Sequence, residues 1–175
     1  GDRNDLKVVS LEHKLGIHAS PTCVMSYGDN EGAVGYLIGE ENNGLACMFT
    51  MMNNARHEVG MQGVGLSERA YQAALAYAQE RVQGYAHGSN DRATIIHHPD
   101  VRRILMQMRA LSEASRAFGY VTASMTDLAN RSVLDDDRSR YQRRLDLYIP
   151  IVKSWCSEMS QEVTYLGVQV HGGMG

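Results

Sequence analysis

The 175-residue sequence has little of several things. Three cysteines, Cys23, Cys47 and Cys156, are odd in number, scattered, and never paired as Cys-x-x-Cys. That excludes a disulfide framework and a cysteine-rich zinc site, and it suits a reducing compartment such as the cytoplasm. There are 3 Pro, 2 Phe and 1 Trp against 10 Met and 17 Gly, a balance that favours helices with adaptable interiors. No apolar run is long enough to span a membrane. A formal net charge of −3 leaves no basic footprint for nucleic acid or an anionic membrane. Gly-x-Ser-x-Gly is missing, so no esterase nucleophile is marked. No Glu precedes a His by three positions, so the Glu-x-x-His ligand set of di-iron bundles is absent.

What is present is ordinary for a folded chain, with 43% apolar and 21% charged residues. Residues 1–40 carry turn signals about every ten positions. They predict short antiparallel strands at Leu6–Val9, Thr22–Tyr27 and Ala33–Ile38. From about residue 41 the pattern becomes helical. A short helix is expected from Asn42 or Asn43 to Met52, then a longer one from Ala55 to Arg81. Residues 82–97, with Gly84, Gly88, Ser89 and Asn90, read as a loop. Pro99 and Asp100 open a long amphipathic helix, since Pro fits a first turn and an acid suits the positive end of the dipole. Residues 130–137 break the pattern. A last helix is expected from Arg138 to Val170, kinked or restarted at Pro150. The fold class is therefore α+β, the end of a small antiparallel β-domain (1–40) followed by a helical bundle (41–175).

Several local features carry competing readings. Gly60-Met61-Gln62-Gly63-Val64-Gly65 fits neither the P-loop nor the dinucleotide fingerprint. A helix face of small residues that lets another backbone approach is favoured. His97 and His98 are adjacent and point apart on a regular element, so they make poor joint metal ligands. Asp135-Asp136-Asp137 is read as a solvated entry loop, and the Arg138, Arg140, Arg143, Arg144 run as a solvated face. Arg56, taken as opening a helix, opposes the dipole and calls for an outside partner. Gln169-Val170-His171-Gly172-Gly173 ends a helix in paired glycines, which lets backbone lie against a ligand.

Three segments in order carry a resemblance. Glu12 through Thr22, followed by Gly39-Glu40-Glu41-Asn42-Asn43-Gly44-Leu45, resembles the end of the middle β-domain of acyl-CoA dehydrogenases. Phe49 through Gly84, with Asn53-Asn54-Ala55-Arg56 and Ala78-Gln79-Glu80-Arg81, resembles that family's first C-terminal helices. Gln169 through Gly175 matches its Gln-x-x-Gly-Gly-x-Gly segment. Residues 84–103 look most like the long bacterial subgroup that includes methylthiopropanoyl-CoA dehydrogenases.

The resemblance implies an FAD flavoprotein that converts an acyl-CoA thioester to a trans-2-enoyl-CoA and passes electrons to an electron-transfer flavoprotein. It implies a homodimer or homotetramer with FAD contacted across subunits. By position, Arg81, Gln83, Gln169, Gly172 and Gly173 are expected at the FAD, and Arg56 and Asn53 at the acyl-CoA. At Gln83-Gly84 the family often has Thr-Phe. The usual base is a Glu beyond the Gly-Gly segment, or just before the active-site Arg, where this sequence has Ala55. No catalytic base is therefore assigned, and the chain is expected to be an interior piece, inactive alone. The alternative is a non-catalytic bundle that associates through its glycine-rich helix.

Overall fold

The computed structural model describes residues 3–175. It divides into a unit ending at Cys47 and a larger helical unit, Met48–Gly175.

In the first unit, β1 (Leu6–Leu11) pairs antiparallel with β2 (Cys23–Tyr27), with a register shift between Val8 and Ser10. Asp5 fixes the neighbouring turn. Its carboxylate accepts from the Asn30 backbone at 2.8 Å, the Asn30 amide at 3.0 Å and the Glu31 backbone at 3.1 Å. These bonds, led by the Asn30 backbone, hold its pKa below the ordinary carboxylate value. The expected third strand, Ala33–Ile38, forms no strand and pairs with neither neighbour in the sheet. The reason is local: the Asn4 side chain donates to the Val34 carbonyl at 2.7 Å and accepts from the Val34 N–H at 3.0 Å. One amide thus satisfies both backbone groups that a neighbouring strand would otherwise bond.

The helical region also differs from its sequence reading. One continuous helix, α1 (Gly44–Glu80), replaces the two expected. It cannot begin at Asn42, whose φ of 66° is left-handed. The Asn53–Asn54 pair, read as a break, bonds within the helix instead. Asn54 donates to Glu58 at 2.7 Å, and Asn53 accepts from Arg56 at 3.0 Å. Arg56 is therefore a mid-helix residue and does not stand against the dipole of a helix start.

Residues 82–97 are not a plain loop. β3 (Val82–Tyr85) pairs with β4 (Arg92–Thr94), and a 3₁₀ turn follows at Ile95–His97. The Gly88-Ser89-Asn90 cluster is the hairpin's turn, closed by Asp91 N–H donating to Ser89 Oγ at 3.0 Å.

α2 (Pro99–Arg131) begins as expected. α3 (Asp135–His171) starts three residues early, because Asp135, Asp136 and Asp137 sit in its first turn, where carboxylates suit the dipole. Arg138 and Arg140 pair back to Asp135 and Asp137. The helix runs through Pro150 unbroken. The carbonyl that loses its donor there belongs to Asp146, and both residues are exposed, so water can replace the bond.

The core of the helical unit lies in three groups. Near one end are Ala74, Ala78, Ile95, Ile104, Leu105, Met108, Val163 and Val170. At the other are Met125, Ala129, Leu145 and Ile149. Between them sit Val64, Val152 and Cys156. Full burial of a side chain such as Met108 or Val163 contributes about 1.5–3 kcal/mol. Burial pushes the Cys156 thiol above its ordinary pKa.

Interleaved with these groups are small and hydroxyl residues that bond to their own helices. Ser67 donates to Gly63 O at 2.9 Å, Ser112 to Met108 O at 2.8 Å and Thr122 to Phe118 O at 2.9 Å. The glycine segment packs as expected at two of its three positions. A Cβ on Gly60 would lie 2.7 Å from Val152 Cγ1, and one on Gly63 2.5 Å from Cys156 O. Gly65 faces open space.

Candidate functional site

α1 and α3 end, and α2 begins, at the same end of the helical unit. The β3–β4 hairpin closes against them, and a cleft of about 790 Å³ opens between these pieces. Its wall includes Tyr77, Arg81, Gln83, Gly84, His98, Gln169, His171, Gly172 and Gly173. The five residues assigned by resemblance to FAD, Arg81, Gln83, Gln169, Gly172 and Gly173, therefore line one space. They come from two stretches of sequence, residues 81–83 and 169–173, almost ninety positions apart.

The electrostatics of the cleft follow from what ends there. Two helix C-termini present carbonyl ends and one N-terminus presents N–H groups, so the helices alone leave a net negative potential. The Arg81 guanidinium opposes it, and among the described residues no carboxylate lines the cleft. Arg81 follows the last residue of α1, with its N–H donating to Tyr77 O at 2.8 Å. His171 ends α3. Its Nδ1 donates to Gly167 O at 2.8 Å, and its ring stacks on Tyr77 with centroids 4.6 Å apart and planes 27° apart. Because a carbonyl can only accept, that bond fixes the proton on Nδ1 and leaves Nε2 for another contact. His98 precedes α2 and donates from Nε2 to Gln83 O at 2.7 Å, tying the hairpin to the helix start.

Gly172 has φ 61° and ψ −132°, a conformation that side-chain-bearing residues avoid. A Cβ on either Gly172 or Gly173 would meet nothing within 4 Å, so their backbone is open to approach. A guanidinium, imidazole edges, an amide and open backbone suit a ligand carrying phosphate and nucleoside groups.

Arg56 and Asn53 lie well back along α1, outside the cleft. The Arg56 Nη1–H bonds Asn53 Oδ1 at 3.0 Å, and the guanidinium carbon stands 5.5 Å from the Phe49 ring centroid. Both polar residues are half-buried.

Sequence reasoning missed Tyr77 and His98 as lining residues and carried His171 only as part of the Gln169–Gly173 segment. His98 had a visible signal, as the residue before a Pro-initiated helix. It was weighed only as a metal ligand. Among the described residues, no group of His, Cys, Asp and Glu is arranged to hold a metal ion. None of the described helices is long and apolar enough to cross a membrane.

The sequence profile of the acyl-CoA dehydrogenase C-terminal domain matches residues 42–175. The chain is 52% identical over 175 residues to 3-methylmercaptopropionyl-CoA dehydrogenase of Ruegeria pomeroyi, covering 99% of this chain and 29% of that protein. It is 37% identical over 182 residues to the broad-specificity linear acyl-CoA dehydrogenase FadE5 of Mycobacterium tuberculosis, covering 100% of this chain and 30% of that protein. The chain thus spans about 30% of the length of these curated relatives. The solved structure of butyryl-CoA dehydrogenase from Megasphaera elsdenii superimposes with a TM-score of 0.72 at 23% identity, over 96% of this chain and 39% of that one, a likeness of fold. With the profile match extending over most of the sequence, the chain belongs to the acyl-CoA dehydrogenase family, residues 42–175 matching its C-terminal domain.

Proposed function

We propose that the complete polypeptide carrying these residues is an acyl-CoA dehydrogenase that desaturates an acyl-CoA thioester to the trans-2-enoyl-CoA, and that this chain supplies its end of the FAD site and part of the substrate site. Acyl-CoA dehydrogenases are FAD-dependent oxidoreductases. The observation that carries the reading is the convergence of Arg81, Gln83, Gln169 and the Gly172–Gly173 backbone on one cleft free of carboxylates.

In this reading the Arg81 guanidinium provides charge-assisted hydrogen bonds to the adenosine–pyrophosphate portion. Gln169 and the Gly172–Gly173 backbone provide directional bonds, and Gln83 lines the adenine side. Helix packing pre-orients these groups, so little ordering is needed on binding. Arg56 and Asn53 lie at the thioester and pantetheine end of the acyl-CoA, where Arg56 supplies fixed positive charge. Bound FAD supplies the acceptor for the hydride that leaves the acyl β-carbon. No residue of this chain is assigned as the general base. The same reading gives a homodimer or homotetramer, an electron-transfer flavoprotein as acceptor, and a cytoplasmic location.

The test is Gln169→Ala in the complete polypeptide, with bound flavin read as the ratio of flavin to protein absorbance after gel filtration. Flavin retention should fall while the oligomer persists. Unchanged flavin content would overturn the assignment of this cleft.

A further inference from the structure

Of the 2 Phe in the sequence, Phe49 has no place in the core. Its side chain belongs to none of the three buried groups among the described residues and is 43% exposed. What the ring does contact is Arg56, whose guanidinium carbon is 5.5 Å from its centroid, inside the range of attraction between a cation and a π face.

The geometry is built into the helix. Positions 49, 53 and 56 are spaced four and three apart and so share one face of α1. Side chains on a helix lean toward its N-terminus, so Arg56 extends back over Asn53 to Phe49. The two contacts are of different kinds. Asn53 Oδ1 takes one of the five guanidinium N–H donors at 3.0 Å. The Phe49 ring attracts the charge without taking any donor. Among the described residues, no carboxylate forms an ion pair with Arg56 that would neutralise it. The result is a long cationic side chain restricted in its rotamers, with its charge uncompensated and most of its donors unspent.

We propose that Phe49 is a positioning residue for Arg56: its ring and the Asn53 amide clamp the guanidinium in the orientation that meets the thioester end of an acyl-CoA. The proposal rests on the assignment of Arg56 to the substrate made above. Ordering Arg56 before the substrate arrives removes an entropic cost from binding. The clamp therefore acts on acyl-CoA affinity and alignment, and on neither flavin retention nor fold.

The test is a double-variant cycle in the flavin-loaded complete polypeptide, using F49L, R56Q and F49L/R56Q, with F49Y as the conservative control. Binding of crotonyl-CoA, a trans-2-enoyl-CoA, is measured by calorimetry. The rate of flavin bleaching by butyryl-CoA is measured without oxygen. F49L should weaken crotonyl-CoA binding by about threefold to tenfold, F49Y should stay within about twofold of the parent, and F49L should add nothing once Arg56 is Gln. Equal binding by F49L and the parent overturns the clamp. So do losses that multiply in the double variant, or a failure of F49Y to rescue. An R56Q protein that binds and bleaches like the parent overturns the assignment of Arg56 itself, which the clamp cannot outlive. If F49L loses its flavin, F49M carries the same comparison.

Discussion

Replacing Gly63 by alanine inserts one methyl group where α1 packs against the backbone of α3. That methyl carbon would lie 2.5 Å from the Cys156 carbonyl oxygen, 2.9 Å from its carbon and 3.3 Å from the Ser157 nitrogen. All three are backbone atoms of a helix interior, so no rotamer change relieves the contact. The helices must part by almost an ångström, and Val64, Val152 and Cys156, packed beside the contact, would lose close neighbours. Overpacking of this kind costs about 2–3 kcal/mol. Alanine recovers about 1 kcal/mol of helix propensity, so the net loss is about 1–2 kcal/mol. Gly65 provides the control on the same helix. A methyl group there meets nothing within 4 Å, so G65A should gain about 0.5–1 kcal/mol. Urea unfolding of the parent and both variants, followed by far-ultraviolet circular dichroism, should move the two midpoints in opposite directions. A G63A midpoint at or above that of the parent would refute the close-packing argument.

Three other outcomes follow from side-chain surroundings. Hydrogen bonds from Gln72 and then Arg116 hold the Glu68 carboxyl below its ordinary pKa. Its stabilisation is therefore complete above the unfolded-state value and lost as pH falls through the lower folded-state one. E68Q should flatten the acid limb of a stability–pH curve, by less than about 1 kcal/mol for a pair about one-third exposed. P150A restores a donor for the Asp146 carbonyl and should raise the unfolding midpoint by the equivalent of about 1–2 kcal/mol; a lowered midpoint would mean the proline's ring packs usefully. Cys156, with no exposed surface and its thiol pKa raised by burial, should resist a maleimide until denaturant is added. Labelling at the rate of a free thiol would contradict that burial.

The long helices were legible because their buried positions recur at threes and fours. Val101, Ile104, Leu105 and Met108 mark the start of α2 as clearly as Pro99 does. Errors came where one side chain changed the outcome. Asn53 and Asn54 suggested a break by polarity, yet their amides found partners one helical turn away and cost the helix only its small propensity penalty. Ala33–Ile38 had strand character, but pairing is decided by a neighbour, and Asn4 occupied Val34 first. The glycine cluster at 84–90 was recognised as a turn without the two short strands that flank it. The cleft was only half legible. Its glycine and amide members lie in a motif, whereas Tyr77 and His98 enter only because the helices bring their ends together.

The length of α1 has a consequence for how mutations combine. Arg56 and Arg81 stand twenty-five positions apart along one rod, about 37 Å at 1.5 Å per residue. That exceeds the ~30 Å diameter of a small domain, so the two guanidinium groups of one copy stand far apart. On the proposed reading, each centre borrows its Arg81 from a neighbour. Two defective alleles, R56Q and R81Q, expressed together would then assemble some mixed centres with both lesions and some with neither. Restored activity in such a cell, where each allele alone is silent, is the genetic signature of a helix too long to serve one site.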